Sequence, residues 1–443
     1  MSDLGTIVRR DMERVPVPDL TLERFHGRRL RQVRNRRLTA GAVAAAIVVV
    51  GVLAFMRVLL AEPVPADVGP PRVGMALSDG AVAYSAVPVD AAPEVLDRDS
   101  PADIYLSVPD GEPRRIVGAD GDELDQFCPT FSPDGSRLAY LEGLAGGGPA
   151  GMTKLLVVEL DDDGTSAAPE EVPGDSAGAI TSCPQWSPDG RRLAVLGDGK
   201  RLSIATPGVG WSTVEPGSSA DVDLSGTQRD FGWSPDGTTL AVIDVGTVWL
   251  VPADAAREPS LLFDEPDKRL ESLAWSPDGD RVAVAGAFGP RHDDDGPMLQ
   301  IVTVGTGVIQ PVDVDPDLVG DVVSEITWLP ESNQIAVTSD SPRSASGGTA
   351  LMHPESGSVT PVRPTYTLDA SGGSLLSRTI RWSRDERWFA YLAYDDPRAD
   401  AGTDAYAVVA EPIDGSVLPV VLSPWTSSLA TNGGDIAWWP AVP

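Results

Sequence analysis

Phe131–Tyr140 reads FSPDGSRLAY, Trp186–Val195 reads WSPDGRRLAV, Trp233–Val242 reads WSPDGTTLAV and Trp275–Val284 reads WSPDGDRVAV. Self-similarity of this kind marks a chain built from stacked units, so these four phrases decide the fold. Weaker copies are WLPESNQIAV from Trp328, WSRDERWFAY from Trp382 and a shortened LSDGAVAY from Leu77. Successive aromatic positions lie 42 to 56 residues apart. Each copy is followed in the same order by an extended segment, such as DIYLSV from Asp103 or TVWLVP from Thr247, then a turn and a further apolar segment.

Within one unit the aromatic ends a strand A, Pro-Asp-Gly makes a tight turn that needs φ > 0 at the glycine, and strand B leaves with alternating apolar residues. Strands C and D form the next hairpin. A single four-stranded antiparallel sheet cannot hide both faces, whereas radial stacking of such sheets can. Phe131, Trp186, Trp233, Trp275, Trp328, Trp382 and Trp438 are therefore expected as wedges between blades rather than as ligand platforms. Seven sets of B, C and D follow one another, and the first, from Gly80, has a poor A. Near the C-terminus, Ile436-Ala437-Trp438 matches Ile326-Thr327-Trp328 in register but has no B after it. The expected fold is all-β: a seven-bladed propeller over 73–443 whose last strand completes the first blade, with Trp438 beside Val82. Closure of this kind removes the open edge.

The SPDG phrases resemble the WD40-like (PD40) repeats of the TolB-type propeller family, and the resemblance extends over 73–443. It implies the fold and a chiefly protein-binding role, while some relatives form the gating domain of prolyl-oligopeptidase-like enzymes. No hydrolase domain is expected beyond the propeller, and a long basic N-terminal segment departs from soluble periplasmic TolB.

That segment, 1–37, holds ten Arg against five acids, while the whole chain carries a net charge of −31. An acidic body repels nucleic acid and anionic lipid, so neither is an expected ligand of the propeller. Leu38–Met56, LTAGAVAAAIVVVGVLAFM, is free of charge, and Arg57 can snorkel, so 38–60 is expected to be one transmembrane helix. The apolar run is longer than a signal peptide's and its basic lead is long, which favours an uncleaved anchor. The Arg cluster keeps the N-terminus cytoplasmic and the propeller outside. Residues 61–72, with four prolines, read as a stiff linker. The scarcity of Lys beside abundant Arg fits a bacterial, GC-rich coding sequence.

Chemistry-bearing residues are few. Gly174–Gly178, GDSAG, matches the nucleophile elbow but lacks the strand-to-helix context and a supporting His, so no catalytic residue is assigned. Cys128 and Cys183 each stand three residues before the motif aromatic, on adjacent blades, and are expected to form a disulfide in an oxidising compartment. Elsewhere the same register carries Gly74, Asp230, Ser272, Glu325, Thr379 and Asp435. Asp230, Glu325 and Asp435 would form an acidic ring at the channel mouth, open either to a Ca²⁺ ion or to hydration and backbone capping; no other cofactor is expected. Acidic stretches at 96–103, 118–126, 291–296 and 313–321 fall on the face opposite the SPDG turns, the expected partner surface.

The leading expectation is a membrane-anchored, extracytoplasmic recognition module for a protein, peptide or envelope ligand, with its basic tail available to a cytoplasmic regulator. The alternatives are a propeller hydrolase or lactonase using a channel-mouth metal, and a structural spacer.

Overall fold

The computed structural model describes residues 81–438 with interruptions, the longest at 87–101, 215–229, 340–348, 363–379, 396–404 and 424–435; residues 1–80 and 439–443 lie outside the description. The transmembrane segment 38–60, the tail and the linker therefore fall outside the described residues, among which no helix is long and apolar enough to cross a membrane.

The described residues form seven four-stranded antiparallel sheets. Blade 1 contains β1 (Val82–Ala86), β2 (Asp103–Ser107) and β3 (Arg114–Val117). Blade 2 comprises β4 (Leu124–Phe131), β5 (Arg137–Leu144), β6 (Lys154–Glu159) and β7 (Glu170–Glu171), and blade 3 comprises β8 (Gln185–Trp186), β9 (Leu193–Leu196), β10 (Leu202–Thr206) and β11 (Gly210–Val214). Blade 4 runs β12 (Phe231–Trp233), β13 (Thr239–Asp244), β14 (Thr247–Pro252) and β15 (Ser260–Asp264). Blade 5 runs β16 (Arg269–Trp275), β17 (Arg281–Ala287), β18 (Pro297–Thr303) and β19 (Ile309–Val312). Blade 6 is β20 (Val323–Trp328), β21 (Ile335–Ser339), β22 (Thr349–Met352) and β23 (Val359–Val362). Blade 7 is β24 (Arg381–Trp382), β25 (Trp388–Asp395), β26 (Ala405–Pro412) and β27 (Val420–Val421).

The last strand, β28 (Ile436–Trp438), lies antiparallel to β1 and completes blade 1, with Val82 opposite Trp438 and Ala83 opposite Ala437. Tyr84 braces this junction from β1, its hydroxyl donating to the Leu422 carbonyl at 3.3 Å.

Strand alternation accounts for the stacking. On β5, Leu138 and Tyr140 join a core with blade 1, whereas Ala139 and Leu141 join a core with blade 3. The same division recurs around the molecule, and seven apolar clusters each fill one seam between consecutive blades. The last joins Ala390, Val408 and Ala410 of blade 7 to Val82, Tyr84 and Ile436 of blade 1. The ring is closed.

Each SPDG turn is built the same way. Ser132 Oγ donates to Asp134 Oδ1 at 2.6 Å and receives the Arg137 N–H at 3.0 Å, while the Gly135 N–H closes on the Ser132 carbonyl at 2.8 Å. Gly135 takes φ of 72°, as the turn chemistry demands. Ser187–Asp189, Ser234–Asp236 and Ser276–Asp278 repeat the hydroxyl–carboxylate bond at 2.5 to 2.6 Å. Tight turns and close seams hold strand A of every blade along the axis.

Candidate functional site

The A strands enclose a cavity of about 800 Å³ lined by residues from all seven blades. Cys183, Asp230, Ser272 and Glu325, all three places before a motif aromatic, line it together, as do Trp186, Trp233, Trp275, Trp328 and Trp382. The register read from the repeats thus brings these side chains to one place. Asp435 and Thr379 lie outside the described residues.

The side chains at this register bond from blade to blade. Cys128 of blade 2 and Cys183 of blade 3 form a disulfide, with Cα atoms 5.2 Å apart. In blade 4, Asp230 Oδ2 accepts the Ser272 hydroxyl at 2.8 Å and the Leu273 N–H at 3.0 Å, both from blade 5, while Oδ1 accepts its neighbour's N–H, that of Phe231, at 2.9 Å. Ser272 Oγ in turn receives the Ile326 N–H of blade 6 at 3.2 Å. Glu325 of blade 6 is ion-paired with Arg381 of blade 7. Covalent, hydrogen-bonded and ionic links therefore join blades 2 to 3, 4 to 5, 5 to 6 and 6 to 7 beside the cavity.

Burial raises the Asp230 carboxyl above the usual aspartate range, and the donors from Leu273, Ser272 and Phe231 oppose that rise. As oxygen donors for a Ca²⁺, Asp230 already accepts three hydrogen bonds and Glu325 already faces a guanidinium. Among the described residues no group of three His, Cys, Asp or Glu is placed to hold a metal.

The tryptophans are held at the seams. Trp186, Trp233 and Trp275 donate their indole N–H to the carbonyls of Thr130, Gln185 and Gly232, each the residue before the aromatic of the preceding blade, at 2.9 to 3.1 Å. Trp328 instead donates to Asn333 of its own turn at 2.8 Å. Arg137, Arg192 and Arg281, which the sequence reading did not single out, lie over the rings of Trp186, Trp233 and Trp328 at 4.7, 5.1 and 5.0 Å from the centroids. The signal was present, an Arg six places after the aromatic in three copies, yet it looks like ordinary strand-edge charge.

Of the GDSAG stretch only Gly174 is described; the side chain of Ser176 and that of His292 lie outside the described residues. His353 sits in the C–D turn of blade 6, where its Nδ1 accepts the Glu355 N–H at 3.3 Å. Most of the acidic stretches also lie outside. Asp103, within the first of them, is buried and paired with Arg115 at 3.1 Å, so it belongs to blade 1 rather than to a partner surface.

No protein-family model matches the chain, and no curated protein matches it. Solved structures do. A TolB protein from Agrobacterium tumefaciens is 18% identical with a TM-score of 0.40, covering 62% of this chain and 94% of that one. The tricorn protease is 16% identical with a TM-score of 0.34, over 74% of this chain and 28% of that one. An oligogalacturonate lyase in complex with manganese is 14% identical with a TM-score of 0.48, over 71% of this chain and 80% of that one. Likenesses at these identities do not bear on activity.

Proposed function

We propose that this chain is a TolB-type propeller of WD40-like (PD40) repeats, carried at a cell membrane by 38–60 with its ring outside the cytoplasm. In this reading it is a recognition module for a protein, peptide or envelope ligand. The observation that carries the reading is the set of blade-to-blade bonds at the axis: Cys128–Cys183, Asp230–Ser272 and Glu325–Arg381 spend on rigidity the side chains an active site would need. A stiff ring presenting loops suits binding. The disulfide supports an oxidising compartment, as the charge-free run and its basic flank support the anchor.

Crosslinking of the full chain in intact cells tests the proposal. An extracytoplasmic partner is expected to be captured by the wild type and lost when Asp293, Asp294 and Asp295 are changed to Asn. No partner, together with a stoichiometric metal that disappears in Glu325→Ala, would overturn it in favour of a metal-dependent propeller enzyme.

A further inference from the structure

The two sulfurs of the disulfide are not equivalent. Cys183 is half-buried and lines the axial cavity, whereas Cys128 is only 4% exposed, within the apolar seam between blades 2 and 3. The backbone differs as well. Pairing of β4 with β5 slips between Phe127 and Thr130, and Cys128 sits in that bulge with φ of 55°, the left-handed region that side-chain-bearing residues enter at a cost. Between blades 4 and 5, 5 and 6, and 6 and 7 the same register is held instead by hydrogen bonds or an ion pair, which are reversible.

Beside the disulfide, the seam of blades 2 and 3 also has bonds that do not depend on it. Trp186 Nε1 donates to the Thr130 carbonyl at 3.1 Å, and Arg137 Nη2 donates to the Gly190 carbonyl at 2.5 Å from above the Trp186 ring. Ala139, Leu141, Leu193 and Val195 close the apolar seam beneath them.

We propose that Cys183 is a thiol–disulfide exchange site reached through the axial cavity, taking a small dithiol as its co-reactant, and that the ring stays closed when the bond is reduced. A thiolate of the dithiol attacks Sγ of Cys183 along the S–S axis. A new S–S bond forms to Cys183, the Cys183–Cys128 bond breaks, and Cys128 leaves as a thiolate that takes up a proton. The second thiolate of the dithiol then displaces Cys183, which is also protonated. Two electrons have passed to the protein, and the dithiol has become a cyclic disulfide. The freed Cys128 allows the bulge to leave its left-handed conformation, so reduction alters one wall of the cavity without opening the ring. This inference stands independently of the proposed ligand recognition.

The test treats the full-length protein with glutathione under native conditions, quenches with acid and locates the adduct by mass spectrometry. The adduct is expected on Cys183, with exchange rates flat across low denaturant concentrations, as for a native-state reaction. In Cys128→Ser the remaining thiol is expected to react with iodoacetamide at least about tenfold faster than the thiol left in Cys183→Ser, following access. Fully reduced protein is expected to retain a single cooperative melt. An adduct mainly on Cys128, exchange that appears only at the rate of global unfolding, or equal alkylation of the two single variants would overturn the proposal.

Discussion

The carboxylate of Glu386 in blade 7 reaches across the seam to blade 6, receiving the N–H of Glu331 on Oε1 at 2.6 Å and the N–H of Ser332 on Oε2 at 2.8 Å. Glu386 occupies the place that glycine holds in the SPDG turns, with φ of 54°. The turn thus keeps a left-handed residue in exchange for two charge-assisted bonds to the neighbouring blade. Glu386→Ala retains the strain and loses both bonds; Glu386→Gly loses the bonds but removes the strain. The glycine variant is therefore expected to be more stable than the alanine variant by about 1 kcal/mol in thermal or urea melts. Equal stability of the two would contradict the account.

Arg137 and Trp186 form the analogous tie between blades 2 and 3. Arg137→Ala is expected to destabilise by about 1 kcal/mol, through loss of the stacked guanidinium and of the bond to Gly190. In a double-mutant cycle with Trp186→Leu, the combined loss should fall short of the sum by roughly 0.5–1 kcal/mol. Strict additivity would place the two residues outside one interaction.

Asp230 accepts three hydrogen bonds, two of them, from Ser272 and Leu273, joining blade 4 to blade 5. Asp230→Ala leaves those donors without an acceptor and is expected to lower stability by about 2–4 kcal/mol. Asp230→Asn removes the buried charge and keeps one carbonyl acceptor, so about half that loss is expected. Denaturant titration of both variants checks the order, and an Asn variant as damaged as the Ala variant would refute the assigned bonding.

Acid should weaken the turns. The serine hydroxyls of Ser132, Ser187, Ser234 and Ser276 are the main cause holding Asp134, Asp189, Asp236 and Asp278 below the ordinary aspartate value of 3.8. A lowered folded-state value contributes stability that is present above the unfolded value and lost as pH falls through the folded one. Asp230, raised by burial, has the opposite sign: its contribution is present below the unfolded value and lost as pH rises through the folded one. With four turns set against one buried group, the melting temperature is expected to drop below about pH 4. Changing the four turn aspartates to Asn should flatten that drop; an unchanged slope would show that the turns do not govern acid stability.

Sequence made the ring legible because the turn chemistry repeats almost letter for letter, and because Ile436-Ala437-Trp438 keeps the spacing of a strand A. The pairing of Cys128 with Cys183 followed from equivalent positions on adjacent units. What hydrogen-bonds to what around the axis was not legible. Asp230 and Ser272 are 42 residues apart, and nothing local to either indicates that one carboxylate oxygen takes both a hydroxyl and an N–H from the next blade. Glu386 was equally hidden, since a left-handed residue other than glycine breaks the turn's own rule and is offset only by a partner in another blade. The bulge at Cys128 left a trace, because Phe127, Cys128 and Pro129 break the alternation of β4 and a proline cannot donate to the ladder, but its left-handed backbone did not.

Ring closure by β28 is the claim on which the seams and the axial cavity rest, and a paired substitution tests it most directly. Ala83 and Ala437 are directly opposed across the β1–β28 pair, where antiparallel partners come within about 4.5–5.5 Å between Cα atoms, inside disulfide range. Ala83→Cys with Ala437→Cys, in a chain carrying a protease site within 396–404, should oxidise to a crosslink that keeps the two fragments together on a non-reducing gel after cleavage. Fragments that separate while both introduced thiols remain free would contradict a closed seven-bladed ring.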